Sequence, residues 1–167
     1  MVGNQAHTDP TDTIMHLSLE QVLPDGVVLA IHRGLGFIAI LTCDEQQPQM
    51  TAAQQFSVYE MLLLVPILLS YPHFCHYETL FASFAGGTTE AEVEKARVRL
   101  SRAKERGEWD VLMRPVRNLL SRARLKLHPL GITILSLFET GYVLEAHTKE
   151  SLRRKRVRAS INKGAYP

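Results

Sequence analysis

The chain has 167 residues, 46% hydrophobic and 22% charged, a composition that fits a folded globular protein and excludes a disordered one. The net charge of +2 hides a split: up to Glu90 one cation, Arg33, stands against nine acids, a net −8, while from Ala91 onward 18 cations stand against 8 acids, a net +10. Two cysteines are too few for a disulfide framework, and the most apolar run, residues 61–69, is far shorter than the ~20 residues of a membrane helix.

One core in one domain is expected over residues 14–146, between a polar, flexible segment 1–13 and a basic tail 147–167. The start of the chain has no basic segment followed by an apolar run, so no secretory signal, no membrane partner and a cytoplasmic location are expected. From Ile14 the pattern is strand-like. VVLAIH at Val27–His32 and FIAILTC at Phe37–Cys43 are β-prone runs joined by a turn containing Gly34 and Gly36, and a short strand is predicted over 49–52, giving an antiparallel front sheet.

The period then changes to helical. Ser57 is a predicted N-cap for a helix running to Tyr71, with Pro66 expected to kink or restart it and Pro72 to end it. A second short helix is predicted over 76–84, with Leu80, Phe81 and Phe84 inward and Ala85-Gly86-Gly87 closing it. Thr88 or Thr89 caps a charged helix at about 89–106, whose acids come first and bases last, as the helix dipole favours. After Gly107 a helical turn is predicted over 109–113, and Pro115 is read as the start of a further helix over 115–128. Strands over 134–138 and 142–145 with the turn Glu139-Thr140-Gly141 form a predicted hairpin.

The helix after Pro115, VRNLLSRARLKLHP, carries the chemistry. Val116, Leu120, Ala123 and Leu127 follow at spacings of four, three and four and form a core face. The other positions hold Arg117, Asn118, Ser121, Arg122, Arg124 and Lys126, a mix of cations and short hydrogen-bonding groups suited to phosphates and base edges. The tail adds Arg153, Arg154, Lys155, Arg156 and Arg158, cations able to follow a phosphate backbone.

Front sheet, helices with a basic last member, then a hairpin: in that order SRARLKLHPLG (121–131) resembles SRLRKKLEPLG, the third helix of the DNA-binding effector domain of OmpR/PhoB-type response regulators. TGYVL (140–144) resembles that family's wing, with its Gly-Tyr pair, and VYEMLLLVPILLSYP and HYETLFASF resemble its first and second helices. The similarity spans about residues 27–146 and is strongest over 116–144. It implies an α+β winged helix-turn-helix with an N-terminal antiparallel sheet, three core helices, an extra charged helix and a C-terminal β-hairpin. It further implies double-stranded DNA as partner, transcription regulation as the task and homodimerisation on DNA. On that resemblance Arg117, Asn118, Ser121 and Arg122 face the major groove, while Arg124 and Lys126 touch phosphates.

Three features depart from the family pattern. Phe138 and Glu139 stand where the wing carries Arg and Gly, the charged helix fills a connection that is a short loop in the family, and the residues before Val27 are too few for a phosphoacceptor receiver domain, so control by phosphorylation is not expected. The charged helix has a thin apolar stripe, Val93, Ala96, Leu100 and Ala103, which favours a packed strut over a second DNA contact, a polymerase contact or a dimerisation arm. HFCH at 73–76, with Cys43, offers four zinc-ligand types, but its spacing fits no common finger and no metal is expected. There is no Gly-rich phosphate loop, paired-carboxylate register or nucleophile elbow, so neither an enzyme nor a cofactor is expected. The alternative to DNA binding is a protein-interaction module that keeps the winged-helix fold while its acidic front half docks RNA polymerase or a replication protein.

Overall fold

The computed structural model describes residues 13–43 and 47–148. Four strands, β1 (Ile14–Leu17), β2 (Val27–His32), β3 (Phe37–Cys43) and β4 (Pro48–Gln55), form an antiparallel meander in chain order. Strand alternation places Leu29, Ile31, Ile38 and Ile40 on the inner face, all buried, opposite one another in register. The fourth strand is longer than its sequence predicts. Its register shifts between Ile40 and Leu41, which pair with Ala52 and Met50 and leave Thr51 as an extra residue, so alternation is broken and the pattern is hard to read from residue types.

Helix α1 (Val58–Ser70) starts in a capping box, with Ser57 and Glu60 each bonding the other's backbone N–H. Pro66 lies inside it without restarting it. A proline at 66 leaves the Leu62 carbonyl without its helical donor, and the buried Ser83 hydroxyl of α2 (Tyr77–Phe84) donates to that carbonyl at 2.6 Å. The compensating group sits on the next helix, which the sequence of α1 alone cannot reveal.

Two residues before α2, Cys75–His76, form β5, a strand too short to have a period and present only because it pairs with the hairpin. The charged helix is α3 (Glu90–Glu105), opened by the capping box of Thr89 and Glu92 and buried through Ala96, Leu100 and Ala103. The last helix, α4 (Trp109–Leu127), corrects the sequence reading: the predicted turn and the predicted helix are one continuous helix with Pro115 inside. Its core face, Met113, Val116, Leu120, Ala123 and Leu127, runs unbroken across the proline. The carbonyl that Pro115 deprives of a donor belongs to Val111, a residue on the exposed side of the helix, where water can serve it.

A 3-10 turn, His128–Leu130, leads through left-handed Gly131 into the hairpin of β6 (Ile132–Leu137) and β7 (Gly141–Ala146). The small second sheet has the order β5-β7-β6. Gly141 pairs with His76, and a Cβ on it would overlap the Cys75 carbonyl, so only glycine lets β5 come this close. Both sheets and all four helices share one buried cluster. The fold is thus α+β: a four-stranded antiparallel sheet, four helices and a second small sheet. Among the described residues no helix is long and apolar enough to cross a membrane.

Candidate nucleic-acid interface

The residues of α4 separate into three tracks once the core face is fixed. The outward track is Val111, Arg114, Asn118, Ser121, Arg122 and Leu125, all exposed, with Val111 at 64% and Leu125 at 68% bounding the polar middle. The side chains of Arg114, Asn118, Ser121 and Arg122 make no hydrogen bond or ion pair among the described residues. Four hydrogen-bonding groups on one ridge about two turns long therefore point away from the protein.

The other two tracks are occupied. Toward the hairpin, Arg117 donates to the Asp110 carboxylate at 2.7 Å and to its backbone carbonyl at 3.0 Å. Next along that side, Arg124 donates from Nε to the Ile134 carbonyl at 2.8 Å and stacks over the Tyr142 ring, in surroundings whose burial lowers its guanidinium pKa. On the opposite side Lys126 reaches Glu60 at 2.7 Å and lies over the Phe56 ring. Burial pushes the Glu60 carboxyl up, but the bonds from Lys126 and Ser57 outweigh it and hold the group below the ordinary carboxylate range.

Of the six helix residues singled out from sequence, the structure brings Asn118, Ser121 and Arg122 onto one free ridge. Arg117, Arg124 and Lys126 are engaged in contacts that fasten α4 to its own first turn, to the hairpin and to α1. The basic tail residues Arg153, Arg154, Lys155, Arg156 and Arg158 lie outside the described residues, as do residues 1–12 of the N-terminal segment 1–13. Arg114 escaped the sequence reading because the helix was begun at Pro115; counting back four from Asn118 would have found it.

A second basic surface adjoins this ridge. Lys95, Arg99, Arg102 and Arg106 recur along one face of α3 and line, with Val111 and Glu108, a broad groove of about 1040 Å³. Their spacing of four, three and four was available in the sequence. Phe138 is 89% exposed at the hairpin tip, and the adjoining Glu139 is bound to Lys104 of α3 at 2.8 Å. Glu139 has a left-handed backbone, φ 55°, in the three-residue turn. Of the HFCH cluster, Cys75 is buried and its thiol is pushed up to about 11 by burial, while His73 and His76 are exposed; no three metal-binding side chains converge among the described residues.

No protein-family model, curated protein or solved structure matches this chain.

Proposed function

We propose that this protein is a winged helix-turn-helix that binds double-stranded DNA and regulates transcription. In this reading α4 enters the major groove and the β6–β7 hairpin stands beside the neighbouring minor groove. The observation that carries it is the free ridge of Arg114, Asn118, Ser121 and Arg122 on a helix whose remaining cations all have partners. Arginine can pair bidentately with guanine and asparagine with adenine, which makes these side chains suited to base edges. The basic face of α3 continues the positive surface past Val111 and would follow phosphates.

A second reading has its own observation. By register, the outward face of the four-stranded sheet holds Ile14, Val28, Phe37, Leu41 and Met50 together with His16 and His32 and no Asp, Glu, Lys or Arg, a surface suited to a protein partner such as RNA polymerase or a replication protein. Selection of bound duplexes from a random pool decides between them. A recovered motif whose binding weakens steeply with salt is the expected result. Failure to enrich any sequence, with salt-insensitive retention of a protein partner, rejects the DNA reading.

A further inference from the structure

Between α3, the first turns of α4 and the hairpin lies a cleft of about 580 Å³, lined by none of the residues of the outward ridge of α4. Its size falls within the roughly 300–1,000 Å³ of small-molecule sites. The floor is aromatic: Tyr77 stands edge-on to Trp109, with centroids 5.3 Å apart, and to Tyr142, at 5.4 Å, above buried Met113 and Leu100. The Tyr77 hydroxyl is anchored on the Leu137 carbonyl at 3.1 Å, which holds that ring in place.

The rim carries both signs of charge in pairs. Lys104 meets Glu139 at 2.8 Å, Arg117 meets Asp110 at 2.7 Å and Arg97 approaches Glu78 at 3.9 Å. Exposed pairs of this kind contribute little stability, so each can exchange one partner for a ligand at small cost. A ligand of one sign would meet as many like charges as unlike ones around this rim. A ligand carrying both signs can pair with each. Phe138 also lines the cleft from the hairpin tip, an exposed ring beside an aromatic floor.

We infer that this cleft binds a small aromatic zwitterion of the aromatic amino-acid class, its ring between Trp109, Tyr77 and Phe138 and its charges on the Lys104–Glu139 and Arg117–Asp110 pairs. The inference does not rest on DNA binding. Calorimetric titration of the full chain with L-tryptophan tests it, alongside indole-3-propionate, which lacks the ammonium, tryptamine, which lacks the carboxylate, and L-leucine, which lacks the ring. L-Tryptophan is expected to bind saturably, and each analogue more weakly by about tenfold. Phe138→Ala and Lys104→Ala are expected to weaken L-tryptophan binding by about fivefold each with unchanged thermal melts, because both side chains are exposed. Absence of saturable binding up to roughly 10 mM overturns the inference. So does equal affinity for the three indoles or for L-leucine, or an affinity that neither substitution changes.

Discussion

Glu60 is the residue on which the two ends of the helical layer meet. As the third residue of α1 it closes the capping box on Ser57, and from the same carboxylate it accepts the bond from Lys126 at the end of α4. Its depressed carboxyl pKa means that the folded state gains stability above the ordinary carboxylate value of about 4.3 and loses it as pH falls through the lowered value. Lys126→Ala leaves a buried carboxylate with one partner fewer and is expected to cost about 1–3 kcal/mol in urea melts near neutral pH. The gap between variant and wild type should narrow as pH falls through the lowered carboxyl pKa of Glu60, where the group takes up a proton. Ser83→Ala removes the donor that serves the Leu62 carbonyl beneath Pro66, with an expected loss of about 1–3 kcal/mol by thermal or chemical melts.

At the scale of the element, α4 combines a packed face with a free one, and the two should respond differently to truncation. Leu120 is fully buried, and Leu120→Ala is expected to cost ~2–5 kcal/mol of stability. Arg122→Ala and Asn118→Ala remove exposed side chains that make no hydrogen bond or ion pair among the described residues, and should leave the melt unchanged. On the proposed function each relaxes sequence preference by roughly 1–3 kcal/mol at one position, read as the affinity ratio between a selected duplex and a scrambled one. Helix α3 predicts another signature. Lys95→Ala with Arg102→Ala should weaken selected and scrambled duplexes alike and reduce the salt slope by about two, since the two cations would neutralise two phosphates. An unchanged slope would leave the basic face of α3 outside the interface.

Across the whole molecule, the opposed charges of the two halves are joined by one core. The acidic half supplies the four-stranded sheet and α1, whose inner residues carry the weight of burial. The basic half supplies α3, α4 and the hairpin. The Lys126–Glu60 pair links a cation of the second half to an acid of the first, and Lys104–Glu139 and Arg124–Tyr142 bind the second half to itself. Among the described residues, much of the outward positive charge of the basic half lies on adjacent faces of α3 and α4, so a modest net charge of +2 coexists with a locally basic surface.

The sequence by itself determined the elements whose signals are local. Strands Val27–His32 and Phe37–Cys43, the Ser57 cap, the charged helix and the core face Val116, Leu120, Ala123 and Leu127 follow from alternation, capping and helical spacing, which depend on near neighbours. The Gly-Tyr pair was also legible, although its reason was not: Gly141 admits the Cys75 backbone, and Tyr142 supports both Arg124 and Tyr77. Only the tertiary structure decided the rest. Strand β5 exists through its partner, α1 passes Pro66 because Ser83 arrives from another helix, and α4 continues through Pro115 because its core face is buried on both sides of it. The cations of α4 look equivalent along the chain, but three of them are claimed by residues 7 to 66 positions away, Arg117 by Asp110, Arg124 by Ile134 and Lys126 by Glu60. An ion pair or a buried carbonyl forms between groups that folding brings together, so which arginine stays free is a property of the packed molecule and not of the helix that carries it.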